Sequence, residues 1–144
     1  MNDICCIGHI TRDKIVTSQH EAFISGGTSF YFSYAIARLP RKVSYQLVTK
    51  LGRFDVQEVR RMREEGINVV AYTCDNSVYF ENSYGGDQNR RTQRVFAKCE
   101  PFKIKEMRGV EAKVYHLGSL LYDDFSPEFV KELSTRGQIS IDVQ

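Results

Sequence analysis

The sequence lacks the features that would place it in a membrane, outside the cell or on a nucleic acid. It has no run of about 18 apolar residues, so a transmembrane helix is excluded. Its first eight residues, Met-Asn-Asp-Ile-Cys-Cys-Ile-Gly, lack the basic start and long apolar stretch of a signal peptide, which predicts a cytoplasmic protein. The net charge is only +2, so neither a nucleic acid nor a membrane surface is expected as a partner.

The sequence also lacks a metal-binding pattern. None of its four cysteines (Cys5, Cys6, Cys74 and Cys99) forms a C-x-x-C pair, and the three histidines do not cluster with them. Zinc is therefore not expected, and the pattern favours reduced, mostly buried thiols. Cys5 and Cys6 would point to opposite faces if their segment is a strand.

What is present indicates one ordinary globular unit. Hydrophobic residues make up 42% of the chain and charged residues 26%, close to the usual values for a soluble domain. At 144 residues, the chain is long enough to bury a core, and we treat residues 1–144 as a single unit.

Strands and helices are predicted to alternate along most of the chain. Asp55 and Glu58 have the spacing of a capping box, and Ser126 followed by Pro127 is typical of a helix start. The order predicts an α/β fold with a parallel sheet and flanking helices. The predicted strands are residues 3–8, 43–48, 67–72, 114–117 and 139–143, and the predicted helices are residues 28–39, 55–65 and 126–136.

Two segments lack a helical period and interrupt this alternation. Residues at about 14–25 and 76–98 predict a small antiparallel β sheet, which would act either as a lid over a site or as an edge hairpin without function. Arg90, Arg91 and Arg94 lie in the second segment, where they would face solvent or meet an anion.

A glycine pair stands directly before the first predicted helix. Gly26 and Gly27 allow positive φ and a close approach of backbone to a ligand, and the helix start behind them carries unpaired N–H groups. The pair therefore indicates either a site for a hydroxyl-rich or anionic small molecule or a tight turn feeding a core helix.

The order of these motifs resembles the ribokinase-like (PfkB) family of carbohydrate kinases, in its N-terminal half. The similarity runs through the whole chain in order, although each motif is short. The segments that carry it are residues 7–13 (Ile-Gly-His-Ile-Thr-Arg-Asp), Gly26-Gly27, residues 37–39 (Ala-Arg-Leu), residues 48–52 (Val-Thr-Lys-Leu-Gly) before Asp55, residues 116–119 (His-Leu-Gly-Ser) and residues 139–142 (Ile-Ser-Ile-Asp).

The resemblance implies a sugar, polyol or nucleoside substrate beneath the β lid. Asp13 would accept hydrogen bonds from substrate hydroxyls, and Gly26 and Gly27 would present backbone N–H groups. Thr28 and Tyr31 stand where many members place a sugar-contacting asparagine. The resemblance also implies a homodimer formed through the lid strands. Asp142 follows the last predicted strand, where it would face a ligand or act as a cap.

The chain departs from the family in its length. Members are roughly twice as long, and their second half carries the Gly-Ala-Gly-Asp type motif, the catalytic base and the ATP pocket. ATP and Mg²⁺ are thus implied for the complete enzyme, and neither is expected on this chain. The alternatives are a non-catalytic dimeric binding module and another α/β nucleotide-binding protein. The latter is weakened because no G-x-G-x-x-G or Walker A motif occurs.

Overall fold

The computed structural model describes residues 1–143. The predicted strands and helices are present with ends shifted by a few residues, except that the last strand stops at Ile141 instead of running to residue 143. In chain order the elements are β1 (Asn2–Ile7), β2 (Thr11–Val16), β3 (Glu21–Gly26), α1 (Thr28–Ala37), β4 (Tyr45–Gly52), α2 (Val56–Glu64), β5 (Val69–Cys74), β6 (Val78–Tyr84), β7 (Arg91–Ala97), β8 (Ala112–Leu117), α3 (Pro127–Ser134) and β9 (Gln138–Ile141).

Five strands form the sheet that we call the body sheet. Their order is β5-β4-β1-β8-β9, and every neighbouring pair is parallel, as the sequence predicts. Apolar clusters cover both faces of the sheet. Cys5 belongs to the cluster that contains Phe129 and Leu133 of α3, whereas Cys6 belongs to the one that contains Met62 of α2. The adjacent cysteines therefore do point to opposite faces, which confirms that segment as a two-sided strand.

The first helix packs on the body sheet through its small residues. Ser29 and Ser33 are fully buried, while the aromatic side chains of α1 are only partly so. Gly8 and Gly118, at the ends of β1 and β8, leave the space that Ser29 Oγ occupies. Glycine and serine thus bring the start of α1 close to the carboxyl ends of the strands, where ligands bind in open α/β sheets.

The capping prediction is right for one helix and wrong for another. Ser126 Oγ accepts a hydrogen bond from Phe129 N–H at 3.1 Å, as expected at the start of α3. Asp55 precedes α2 without capping it, because its carboxylate accepts a hydrogen bond from Ser77 Oγ at 2.6 Å. Glu58 is likewise engaged elsewhere, since it accepts from Ser25 Oγ at 2.9 Å.

The other four strands form a second sheet, the lid sheet, in the order β3-β2-β6-β7. The β2–β3 and β6–β7 pairs are antiparallel, but β2 and β6 are parallel, so the prediction of an antiparallel sheet is wrong for the central pair. The reason is topological: β2 follows β1 and β6 follows β5, and both leave the body sheet from the same edge in the same direction. The sheet also begins earlier than expected, at Thr11, and therefore includes Asp13.

The cysteines divide into a free pair and a bonded pair. Cys5 and Cys6 are free and buried, and burial raises the pKa of Cys6 to about 11. Cys74 and Cys99 form a disulfide with a Cα–Cα distance of 5.9 Å, so the prediction of reduced thiols is wrong for this pair. Strands β6 and β7 pair as an antiparallel hairpin, so the residues before β6 and the residues after β7 lie close together. This pairing brings together two cysteines that are 25 residues apart in the chain.

Within residues 1–143, no helix combines the length and the apolar character needed to span a bilayer.

Candidate functional site

A cavity of about 180 Å³ lies between the lid sheet and the start of α1. Of the five residues that the sequence singles out, Asp13, Gly27, Thr28 and Tyr31 line this cavity together. The fifth, Gly26, lies beside Asp13 in the lid sheet. The structure therefore brings the predicted site residues to one place.

Asp13 supplies the carboxylate of the cavity from β2. Its Oδ1 accepts a hydrogen bond from Thr11 Oγ1 at 2.7 Å. Partial burial raises the pKa of Asp13 above its ordinary value, against the opposing effects of the Thr11 hydrogen bond and the Arg91 charge. Gly26 makes room for this group, because a Cβ there would lie 2.6 Å from Asp13 Oδ2. Gly26 is thus needed for the position of the carboxylate.

Gly27 forms the floor of the cavity at the start of α1. Its φ of 97° and ψ of 150° belong to a region that only glycine adopts readily, and a Cβ would lie 2.7 Å from the His9 carbonyl oxygen. Its own carbonyl accepts the N–H groups of Phe30 and Tyr31 at 3.1 and 3.2 Å. The glycine therefore lets the chain turn tightly from the lid sheet into the helix.

The first residue of α1 connects the cavity to the end of the body sheet. Thr28 Oγ1 donates to Asp142 Oδ2 at 2.8 Å, and the Asp142 N–H donates to the Leu117 carbonyl at 3.0 Å. Asp142 thus lies at the carboxyl end of β9 beside the start of the helix. One turn further on, Tyr31 is 56% exposed, so its ring lies at the mouth of the cavity.

The lid strands β6 and β7 add polar residues that the sequence analysis missed. Asn82 is only 3% exposed, and its Oδ1 accepts a hydrogen bond from Gln93 Nε2 at 2.9 Å. The two residues are direct cross-strand partners and line the cavity with Phe80 and Arg91. Side chains alternate between the two faces of each strand, and this alternation could have placed Asn82 and Gln93 on the same face. It could do so only once the register of the hairpin was known.

His9 and Asp124 form a buried pair next to Leu120, a residue that lines the cavity. His9 is fully buried, its Nε2 lies 2.9 Å from the Glu100 carbonyl, and its Nδ1 lies 3.4 Å from Asp124 Oδ1, which is longer than a good hydrogen bond. Asp124 Oδ2 accepts the N–H groups of Leu120 and Leu121 at 2.8 and 3.0 Å. Burial works to raise the pKa of Asp124, yet His9 and these amides hold it below its ordinary value.

Two further features of the described part of the chain concern metal ligands and a buried lysine. Across residues 1–143, no three His, Cys, Asp or Glu side chains come together as metal ligands. Lys50, at the carboxyl half of β4, is already bonded to Glu106 at 2.7 Å and to the Pro101 carbonyl at 2.8 Å.

Comparison with known proteins gives no sequence match but clear structural matches. No family model matches the chain, and no curated protein sequence does. A pyrophosphate-dependent kinase in the ribokinase family, solved with a pyrophosphate analog and myo-inositol, matches with a TM-score of 0.84 at 24% identity over 96% of this chain and 48% of its own.

Two further kinases show the same likeness. An uncharacterized sugar kinase from Pyrococcus horikoshii gives a TM-score of 0.74 at 18% identity, over 98% of this chain and 55% of its own. Ribokinase from Thermotoga maritima gives 0.73 at 13% identity, over 99% of this chain and 52% of its own. The chain spans about half the length of these kinases, and the predicted resemblance is confirmed at the level of the fold: this chain has the ribokinase-like α/β fold, as a partial one.

Proposed function

We propose that this chain is the substrate-binding part of a ribokinase-like kinase that phosphorylates a hydroxyl of a sugar or other polyol. The observation that carries the proposal is the position of Asp13. Its partly buried carboxylate lines a cavity closed by the lid sheet on one side and by Gly27 and Thr28 on the other. An ionised carboxylate only accepts hydrogen bonds, and it makes its strongest ones with donors such as neighbouring hydroxyls.

The remaining polar groups of the cavity suit the same kind of ligand. The Tyr31 hydroxyl can donate or accept, and the amides of Asn82 and Gln93 offer both kinds of group. A small molecule with several hydroxyls can satisfy such a mixed surface. The structural neighbour solved with myo-inositol supports a polyol for the chain proposed here.

We assign the phosphate donor and the catalytic base to the part of the fold that the neighbouring kinases have and this chain does not span. ATP with Mg²⁺ is the donor that the sequence resemblance implies, whereas one neighbour is pyrophosphate-dependent. The 144-residue chain by itself is expected to bind substrate without phosphorylating it.

Pairing of two copies through the lid strands is also proposed. Four apolar side chains of the lid sheet are 43–55% exposed, namely Phe23, Ile24, Val95 and Phe96. Phe23 and Phe96 both contact the Tyr79 ring and so lie on one face of the sheet. Exposed apolar side chains that lie together in this way are typical of an interaction surface. Light scattering after gel filtration should give a dimer that Phe96→Glu converts to a monomer. A stable dimer that binds no polyol would instead support the non-catalytic binding module.

Calorimetric titration with myo-inositol, ribose and a nucleoside tests the substrate site. Asp13→Asn should weaken binding of the accepted polyol roughly tenfold to a hundredfold, because hydrogen bonds to a charged acceptor are lost. Asp87→Asn is the matched control, since Asp87 lies on the exposed lid loop and pairs with Arg90. Unchanged affinity in Asp13→Asn would contradict the proposed site.

A further inference from the structure

The Arg91 guanidinium is a cation at the rim of the cavity that forms no ion pair within residues 1–143. It begins β7 opposite Tyr84 and lines the same cavity as Asp13. Its neighbour Arg90 lies outside the cavity and approaches Asp87 at 3.7 Å. Arg94 is the direct partner of Glu81 in the β6–β7 ladder, whereas Arg91 alternates onto the face that carries Gln93. Of these three arginines, only Arg91 lines the cavity.

Two opposite charges therefore share one cavity without forming an ion pair. Both groups line the cavity, and the Arg91 charge acts against the rise that burial causes in the pKa of Asp13. Arg91 nevertheless has no ion pair within 4.0 Å among the described residues. Each group thus keeps its hydrogen-bonding capacity for a ligand, the carboxylate as an acceptor and the guanidinium as a donor.

A guanidinium at this position selects for an anion. It offers several N–H donors in a planar fork that matches a carboxylate or a phosphate in a bidentate manner, and it has no acceptor for a hydroxyl proton. Asn82 and Gln93, which line the same cavity, satisfy part of their hydrogen-bonding capacity with each other, since Gln93 Nε2 donates to Asn82 Oδ1 at 2.9 Å. Asp13 on β2 thus suits hydroxyl donors, whereas Arg91 on β7 suits an anion.

We propose that the substrate is a polyol that carries an anionic group, a carboxylate or a phosphate, with its hydroxyls at Asp13 and its anion at Arg91. This inference rests on the proposed function and narrows its substrate class. A neutral polyol would leave the Arg91 guanidinium without a charged partner, so it should bind more weakly than the acidic relative of the same shape.

Matched ligand pairs test the inference by calorimetry at low ionic strength. D-Glucuronate against D-glucose isolates a carboxylate, and an inositol monophosphate against myo-inositol isolates a phosphate. At least one anionic ligand should bind roughly tenfold to a hundredfold more tightly than its neutral partner. The pair with the larger ratio identifies the anion. Arg91→Gln should remove the preference, because it should weaken binding of the anionic ligand far more than binding of its neutral partner, and Arg90→Gln should keep the preference.

The outcomes separate this inference from the proposed function. If neutral polyols bind at least as tightly as anionic ones, or if Arg91→Gln weakens both equally, the anionic substrate class is overturned. If Asp13→Asn still weakens the binding of neutral polyols, the proposed polyol site is supported even though the anionic substrate class is not. If no ligand of either kind binds, or if Asp13→Asn leaves ligand affinity unchanged, the proposed function is contradicted, and so is the inference that rests on it.

Discussion

The body sheet and the lid sheet differ in how much of each strand is buried. In β4 of the body sheet every residue from 47 to 52 is buried, whereas in β7 of the lid sheet every residue from 91 to 96 is exposed. Two large apolar clusters cover the body sheet. One small cluster lies where the lid sheet joins the body sheet, and it consists of Cys74, Val78, Phe80 and Cys99. Polar side chains that face the cavity come mainly from the lid.

The contrast indicates that the body sheet provides most of the stability of the fold, whereas the lid sheet provides most of the groups that would bind a ligand. Strands with few buried apolar contacts open at lower free energy than core strands, and binding segments are commonly drawn from such regions. The body sheet should therefore unfold as the cooperative unit. The lid sheet should depend on its attachments to the body: the disulfide, the Gly27 turn and the Ser25–Glu58 hydrogen bond.

Removing a charge from the body should have the largest effect. Lys50 is 2% exposed and pairs with Glu106, so Lys50→Met would leave a buried carboxylate without its cation. We expect the free energy of unfolding to fall by about 3–5 kcal/mol in urea denaturation. Lys98→Met, directly after β7, is the control. Lys98 and Asp123 are 44% and 39% exposed, so their ion pair should contribute only about 0–1 kcal/mol to the free energy of unfolding. Equal losses would contradict the contrast between the two regions.

Reducing the disulfide should come next and should act on the lid. The Cys74–Cys99 bond closes a loop that contains the whole β6–β7 hairpin, and its loss should cost about 2–4 kcal/mol. Hydrogen exchange with and without a reductant locates the effect. Amides of β6 and β7 should lose protection first, while those of β1 and β4 keep theirs. The double variant Cys5→Ala/Cys6→Ala, treated in the same way, controls for reaction at the free thiols.

Substituting the turn between the two regions should have a smaller effect. Gly27→Ala forces a non-glycine residue into a glycine region and toward the His9 carbonyl, so about 1–3 kcal/mol of stability should be lost. Gly66→Ala is a matched control, since Gly66 has φ 83° but nothing within 4 Å of an added Cβ. It should cost about 1 kcal/mol. A larger loss for Gly66→Ala in thermal unfolding would show that the Gly27 turn is not constrained.

The smallest effect is expected from the ionisation of Asp13. Burial raises its pKa above the ordinary 3.8, so the folded chain holds this proton more tightly than the unfolded chain does. Stability from this group is therefore greatest at low pH and is lost as the pH rises from 3.8 through the raised value. Asp13→Asn should remove that pH dependence in urea titrations and make the chain slightly more stable at neutral pH. Polyol affinity should change in the opposite sense, increasing as the carboxylate ionises.

The body sheet could be predicted because its signals are local. Apolar runs that end in glycine, and the Ser126-Pro127 start of α3, each act within a few residues of the chain. The capping box at Asp55 could not be judged locally, because its carboxylates are taken by Ser77 and Ser25 from distant segments. The parallel pairing of β2 with β6 likewise depends on where both strands leave the body sheet.

Only some of the residues that line the cavity could be predicted from the sequence. Asp13 and the glycine pair follow from the family resemblance, and the structure places them together. Asn82 and Gln93 could not be assigned, because their pairing depends on the register of the β6–β7 hairpin, and its loop of six residues is too long to fix that register from the sequence. The Cys74–Cys99 bond was missed for the same reason, since the hairpin brings its ends together.

Mapping a bound polyol by NMR is the most direct test of the central claim that this chain binds substrate between the lid sheet and the start of α1. Amide shifts should be followed in the labelled chain during titration with the tightest-binding polyol. We predict that the largest changes fall on Asp13, Gly27, Thr28 and the cavity-facing residues of β6 and β7. Changes confined to the opposite end of the body sheet, around Arg41 and Asn68, or no changes at saturating polyol, would contradict the account.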